Sequence, residues 1–201
     1  MMDFPLLIRT FLLRSAKYFP KKEIVSVFPE GVHRYTYADY YKRTCQLAHA
    51  LKSLGIRRGD RVASVALNDH RHLELYFGVP CYGAVLHTAN FRLPPNHLTY
   101  IINHAEDRVI FVDEDLLMFV ELVRDKLETV EHIVVLSHTG KKPASNLPNL
   151  IMYDDLIAGF PEEYDFPADL SERDAAMICY TSATTGTPRA SSTPTGRSCC
   201  T

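Results

Sequence analysis

Apolar runs of strand length alternate with amphipathic helical patterns from residue 61 to residue 136. Each intervening helix can carry the chain back across the sheet, so alternation of this kind indicates neighbouring parallel strands. The predicted strands are residues 61–67, 83–88, 108–112, 132–136 and, further on, 175–180. The predicted helices are residues 70–82, 94–104 and 116–127. The sequence therefore predicts an α/β fold, a doubly wound, mainly parallel sheet with flanking helices.

The first 55 residues are predicted to begin with a helix over residues 5–18 and two strands over residues 23–28 and 33–37. Thr36 and Asp39 have the spacing of a capping box, in which each side chain satisfies the other residue's backbone N–H. A second helix is expected to begin there. Gly55 is expected to end it, because glycine adopts the left-handed conformation after a helix without steric cost.

The composition excludes several functional classes. Hydrophobic residues make up 46% of the 201 residues and the formal net charge is −2, so the chain can form a core but has no overall basic charge for nucleic acid. No apolar run reaches membrane-spanning length, and the N-terminal segment lacks the features of a signal peptide. Cys45, Cys81 and Cys179 occur singly in apolar patterns, which predicts reduced thiols in a cytoplasmic protein.

Residues 180–189, Tyr-Thr-Ser-Ala-Thr-Thr-Gly-Thr-Pro-Arg, follow the last predicted strand directly. Hydroxyls and backbone N–H groups can donate to phosphate oxygens, and a glycine lets the backbone approach a ligand closely. The pattern thus favours a phosphate-holding loop. A solvated Ser/Thr turn is the alternative that composition leaves open. The Gly-Lys-Ser/Thr tripeptide of nucleoside-triphosphate-binding P-loops does not occur, so this is a different kind of loop.

The order of these residues resembles the signature loop of the adenylate-forming, AMP-binding superfamily, Tyr/Phe-Thr-Ser-Gly-Thr-Thr-Gly-x-Pro-Lys-Gly. The matching positions are Tyr180, Thr181, Ser182, Thr184, Thr185, Gly186 and Pro188. The chain departs from the pattern at Ala183, Arg189 and Ala190, where the family has Gly, Lys and Gly. Arginine keeps the positive charge of lysine but not its compact ammonium group.

Earlier segments resemble the bacterial medium- and long-chain fatty acyl-CoA synthetases of this superfamily. They are residues 68–80, 83–88, 91–93 and 100–107. The resemblance covers about residues 1–189 and implies the incomplete N-terminal portion of a large adenylation domain. A non-catalytic α/β binding or assembly module that retains the loop is the alternative, because fold alone does not decide function.

The resemblance implies an ATP-dependent fatty acid–CoA ligase, with ATP, Mg²⁺ and CoA as cofactors, small-molecule partners and a homodimer as the candidate assembly. Its role would be in fatty acid and lipid metabolism. The implied contacts to the pyrophosphate side of ATP are Thr181, Ser182, Thr184, Thr185 and Gly186. Arg189 would replace the loop lysine, and Pro188 would be structural. The resemblance places no catalytic residue and no metal ligand in this segment.

Residues 190–201 differ in composition from the preceding sequence, since they contain no Val, Ile, Leu, Phe or Tyr. The family continues instead with Gly-Val-Val-Tyr-Thr-His-Arg. A GC-rich coding of that heptapeptide, read from its second base, gives Ala-Ser-Ser-Thr-Pro-Thr-Gly, the sequence of residues 190–196. We therefore expect a frameshifted, aberrant and disordered tail, and a chain that is inactive alone. A natural Ser/Thr-rich tail is the alternative.

Two further groups of polar residues could form sites. His70, His72 and Glu74 are residue types that bind metals, but residues two apart point to different sides of a helix, so a solvated His70–Glu74 pair is favoured. His104, Glu106 and Asp107 lie at the end of a predicted helix. They are interpreted as helix-capping residues rather than as an acid and a base.

Overall fold

The computed structural model of the chain describes residues 5–181 and 189–194. Within these residues the strands are β1 (Glu23–Phe28), β2 (Gly31–Thr36), β3 (Arg61–Val65), β4 (Val85–Thr88), β5 (Asp107–Asp113), β6 (His132–Leu136), β7 (Ile151–Met152), β8 (Ala175–Thr181) and β9 (Arg189–Pro194). The α-helices are α1 (Ile8–Tyr18), α2 (Tyr37–Ser53), α3 (His70–Tyr82), α4 (Pro95–Ala105), α5 (Leu117–Glu121) and α6 (Tyr153–Ala158).

Seven of the described strands form one sheet in the order β7-β6-β5-β3-β4-β8-β9. Neighbouring strands are parallel from β7 to β8, and only the pair β8–β9 is antiparallel. Strands β1 and β2 form a separate antiparallel hairpin. The prediction of an α/β fold with a mainly parallel sheet is confirmed.

The sheet is covered on both faces, as a doubly wound fold requires. One face packs against α4 and α5 through a core that includes Ile101 and Val120. The opposite face packs against α2, α3 and α6, with Leu47 and Leu75 among the buried residues. Strands buried on both faces are apolar throughout rather than alternating, which explains why residues 109–112 of β5 are all fully buried hydrophobics.

Helix α2 begins as the sequence predicts. The Thr36 hydroxyl accepts a hydrogen bond from Asp39 N at 3.2 Å, and the Asp39 carboxylate accepts one from Thr36 N at 3.0 Å. This is the reciprocal capping box, and it satisfies two N–H groups that the helix itself leaves unpaired. Gly55 follows the helix with φ +74°, the left-handed conformation expected of it.

The structure departs from the predicted elements in two places. The helix predicted over residues 116–127 is broken into α5 and two short 3₁₀ segments, Glu114–Leu116 and Arg124–Lys126. Asn103 of α4 donates to the carbonyl oxygen of Lys126 at 2.8 Å and accepts from Glu128 N at 3.1 Å, so the backbone groups of this turn are paired outside a helix. Strand β7 and helix α6 were not predicted, because both are short.

Strand β9 falls partly where the sequence predicts an irregular tail. Residues 190–194 form an antiparallel ladder with β8. The expectation of disorder therefore does not describe these residues of the structure. Residues 195–201 lie outside the described residues, and the division of the chain at residue 189 stays a prediction.

Candidate functional site

Strands β8 and β9 meet as a hairpin beyond the parallel part of the sheet. Strand β8 pairs with β4 as far as Cys179, which faces Thr88. Among the described residues, Tyr180 and Thr181 pair with β9 alone, and Thr181 faces Arg189. The segment from 182 to 188 therefore leaves and rejoins the sheet at adjacent positions. These positions lie at the carboxyl end of β8, the edge at which open α/β sheets bind their ligands.

The predicted phosphate contacts are only partly within the described residues. Thr181 is the last residue of β8, and its side chain is exposed. Arg189 is the first residue of β9, directly across from Thr181. The other predicted contacts lie outside the described residues: Ser182, Thr184, Thr185 and Gly186. The structure thus places the two ends of the predicted loop together, and the roles of its individual residues stay predictions.

Tyr180, immediately before this segment, contacts two histidines. Its hydroxyl oxygen lies 2.7 Å from Nδ1 of His104 in the last turn of α4. Its ring centroid lies 5.0 Å from that of His87 in β4. Partial burial, with the nearby Asp107 and Tyr100, raises the pKa of Tyr180 to about 12. The hydroxyl is therefore protonated at neutral pH and available as a hydrogen-bond donor.

A fully buried pair lies beside the Tyr180 ring. His87 Nδ1 is 2.6 Å from a carboxylate oxygen of Asp107, the first residue of β5, and both side chains are completely inaccessible to solvent. Burial raises the pKa of Asp107, and His87 opposes the rise. Among the described residues, His87 Nε2 and the second oxygen of Asp107 have no hydrogen-bond partner.

The capping interpretation holds for only part of this segment. Helix α4 ends at Ala105, with His104 in its last turn and Glu106 as the C-cap at φ 54°, whereas Asp107 begins β5. The His104 side chain contacts Tyr180, and Asp107 lies in the sheet interior beside His87. No local pattern predicts these contacts, because His104 and Tyr180 are 76 residues apart and His87 and Asp107 are 20 residues apart.

The direction in which successive strands are added to the sheet changes at β3, since β4 lies on one side of it and β5 on the other. At this point of the carboxyl edge, Asp113 accepts a hydrogen bond from Leu67 N at 2.5 Å. Burial raises the pKa of Asp113 to about 7. Asp69 caps α3 nearby, accepting from His72 N at 2.9 Å. Sequence reasoning did not predict a buried acid here.

His138, after β6, connects the β1–β2 hairpin to the same edge of the main sheet. Its ring stacks on Phe28 at 5.6 Å between centroids and lies within 3.2 Å of carboxylate oxygens of Glu30, Glu114 and Asp115. Although burial lowers the pKa of His138, these carboxylates raise it above the ordinary value overall. The cluster is an electrostatic link between two layers of the fold.

The expectation of a solvated His70–Glu74 pair is wrong. Glu74 is completely buried, and Arg43 Nε donates to it at 2.7 Å while the Tyr153 hydroxyl donates at 2.6 Å. The imidazole of His70 instead approaches Ser26 at 3.3 Å. Helices α2, α3 and α6 are thereby joined by one buried polar network, which the sequence does not reveal.

The part of the chain that the structure describes contains no group of three or more His, Cys, Asp or Glu side chains arranged to hold a metal ion. In the same residues, no helix has both the length and the apolar character needed to cross a membrane.

Comparison with known proteins agrees with the geometry. The sequence profile of the family described as "AMP-binding enzyme" matches residues 12–192. The chain is 46% identical over 190 residues to the long-chain-fatty-acid–CoA ligase of Thermus thermophilus, covering 94% of the chain and 33% of that protein. It is 38% identical to the medium-chain-fatty-acid–CoA ligase of Ectopseudomonas oleovorans, covering 94% of the chain and 35% of that protein.

A similar solved structure is that of the anthranilate CoA ligase AuaEII in complex with anthranoyl-AMP. The TM-score is 0.81 at 26% sequence identity, with 96% of this chain and 36% of that chain covered. The chain thus spans about a third of the length of the curated relatives that it matches.

Proposed function

The chain belongs to the AMP-binding enzyme family, and on that premise we propose that it is the N-terminal part of an ATP-dependent fatty acid–CoA ligase. In the proposed reaction a carboxylate oxygen of the fatty acid bonds to the α-phosphorus of ATP, and pyrophosphate leaves. The CoA thiol then attacks the acyl carbonyl, and AMP leaves. The names of the relatives at 46% and 38% identity support this choice of substrate class.

The observation that carries the proposal is the hairpin at the end of β8. Pairing of Thr181 with Arg189 attaches the signature segment to the carboxyl edge of the sheet at both of its ends. A segment whose two ends are held together in this way can present several hydroxyls and N–H groups to one anion. Fixed donors of this kind stabilise charge that develops on a transferring phosphate.

We assign the phosphate contacts within that segment as follows. The donors to the pyrophosphate side of ATP are Thr181, Ser182, Thr184, Thr185 and Gly186. Arg189 supplies the positive charge. The exposed side chain of Thr181 at the carboxyl edge fits this role. Mg²⁺ would enter with ATP and would supply charge neutralisation at the phosphates, beside the positive charge of Arg189.

The ligase activity is proposed for a protein of the relatives' length, because the matched region is about a third of each relative. The 201 residues alone are proposed to be inactive, since catalytic groups act only when they are assembled in one geometry. A cytoplasmic location, a role in fatty acid metabolism and a homodimeric assembly are part of the same proposal.

A chimeric enzyme tests the proposal. Residues 1–189 of this chain would be joined to the part of the Thermus thermophilus ligase that follows the matched region. We expect acyl-CoA formation that requires ATP, CoA and a fatty acid, with a series of acids of increasing length defining the preferred substrate. A folded chimera that binds ATP but forms neither acyl-adenylate nor acyl-CoA would favour the non-catalytic binding module.

A further inference from the structure

We propose that His104 and the buried His87–Asp107 pair are positioning residues that fix the exit of β8 by holding Tyr180. These four residues are called the Tyr180 clamp below. The inference rests on the proposed function, because the segment that begins after Tyr180 is the proposed phosphate loop.

The strand pairing of β8 shows why the Tyr180 side chain is needed to hold the end of this strand against the rest of the sheet. Hydrogen-bonded pairing with β4 ends at Cys179, one residue before Tyr180. On its other side Tyr180 pairs with Ala190 of β9, a strand of small and polar residues that buries little apolar surface. The backbone at Tyr180 is therefore attached to an edge hairpin and no longer to the parallel sheet. Its side chain makes the connection to the interior.

His104 holds the outer end of that side chain. The Tyr180 hydroxyl is hydrogen-bonded to Nδ1 of His104 at 2.7 Å, and the two rings meet at 89° with centroids 5.8 Å apart. Helix α4 is a rigid support, because Ile101 and Ile102 of the same helix are fully buried in the sheet-facing core. A contact from a packed helix constrains its partner more than one from a loop does.

The His87–Asp107 pair holds the inner part. The His87 ring lies 5.0 Å from the Tyr180 ring at 54°, and its orientation is set by the 2.6 Å contact to Asp107 across β3. Two polar atoms of this pair lack partners among the described residues, which is a cost to stability that an apolar pair would avoid. Holding the Tyr180 ring in a fixed orientation is a function that explains why a polar pair is present where an apolar pair would be more stable.

Hydrogen exchange on the full 201-residue chain tests the clamp. Loss of one neutral hydrogen bond changes a local opening equilibrium about fivefold. We expect His104→Ala and Tyr180→Phe each to speed exchange about fivefold in peptides covering residues 176–190. Their double variant should show no further increase. Exchange in peptides covering β5 should stay unchanged.

Two matched variants distinguish a specific effect of His104 on Tyr180 from a general loss of stability in helix α4. His104→Asn keeps a side-chain amide, which can donate or accept, near the place of Nδ1 and should restore slow exchange. His97→Ala, on the same helix, should have no effect, since the described structure shows no side-chain hydrogen bond or ring contact for His97. Unchanged exchange in the His104→Ala variant, or equal acceleration by His97→Ala, overturns the clamp.

The same experiment distinguishes failure of the clamp from failure of the proposed function. Pyrophosphate with Mg²⁺ serves as the probe, and protection of the 176–190 peptides reports binding at the loop. Faster exchange in His104→Ala without any protection by the probe supports the clamp and counts against the phosphate role. A different result would be equal exchange rates in the wild-type chain and both clamp variants, with equally strong protection by the probe. That result refutes the clamp and supports the phosphate role.

Discussion

Replacing Arg43 by methionine should lower the free energy of unfolding by about 3–5 kcal/mol at about pH 8, because it leaves a buried carboxylate without its counter-ion. Glu74 is completely inaccessible to solvent, and Arg43 donates to both of its oxygens, at 2.7 and 3.3 Å. The Tyr153 hydroxyl also donates, at 2.6 Å, and the Tyr35 side chain interacts with the same carboxylate. Neutral donors cannot balance a full negative charge in this environment.

The loss should depend on pH with a defined sign. Burial raises the pKa of Glu74, and Arg43 and Tyr153 oppose the rise. Between the pKa of Glu74 in the unfolded state and its higher pKa in the folded state, the folded protein therefore binds more protons. In this pH range Glu74 makes the free energy of unfolding fall as the pH increases. Removing Arg43 raises the folded pKa further. The deficit of the variant should consequently be smaller at about pH 5 than at about pH 8.

Urea unfolding at both pH values measures the effect. The double variant Arg43→Met/Glu74→Met should recover most of the loss, because a buried ion pair can be replaced by packed apolar side chains at little net cost. Arg34→Met is the control, since Arg34 and Glu23 are both more than half exposed, and it should cost less than about 1 kcal/mol. A double variant as unstable as Arg43→Met, or a loss independent of pH, would refute the reasoning.

Three further predictions follow from other parts of the chain. Gly78→Ala should lower stability by about 1–2 kcal/mol in the same assay, because its Cβ would lie 2.5 Å from Cδ2 of Leu47, whereas Gly159→Ala, with nothing within 4 Å, should be neutral. Asp113→Asn should raise the melting temperature more at about pH 8 than at about pH 5, since a folded pKa of about 7 makes the charged acid unfavourable above that value. A lost base that converts AAG GGC into AGG GC would explain both Arg189 and the following residues, so sequencing the gene should show AGG at codon 189, and any CGN codon would contradict the loss of a base within that codon.

The strand and helix pattern predicted the architecture because the central strands are buried on both faces. A run such as residues 133–136 has to be apolar at every position in a parallel sheet, and this makes it recognisable without tertiary information. The capping box at Thr36 and Asp39 was equally predictable, because it is formed entirely by residues three apart.

The remaining features depend on contacts between distant parts of the chain. Arg43 and Glu74 are 31 residues apart, and each is a residue type that commonly occupies an exposed position on a helix. The ladder between β8 and β9 forms although Ser191 and Ser192 have low strand preference, since pairing with a neighbouring strand outweighs intrinsic propensity. Such contacts follow from the folded topology and not from local pattern.

The central claim is that the segment between Thr181 and Arg189 holds the phosphates during the first half-reaction. The most direct test compares two assays of the chimera carrying Thr185→Ala, namely fatty-acid-dependent exchange of pyrophosphate into ATP and thioester formation from synthetic acyl-adenylate. Thr187→Ala is the control, because Thr187 occupies the variable position of the signature. We expect Thr185→Ala to slow exchange on the order of 10- to 1000-fold, the usual cost of one lost donor, while thioester formation and the control stay near wild type. Equal losses in the two assays would contradict the central claim.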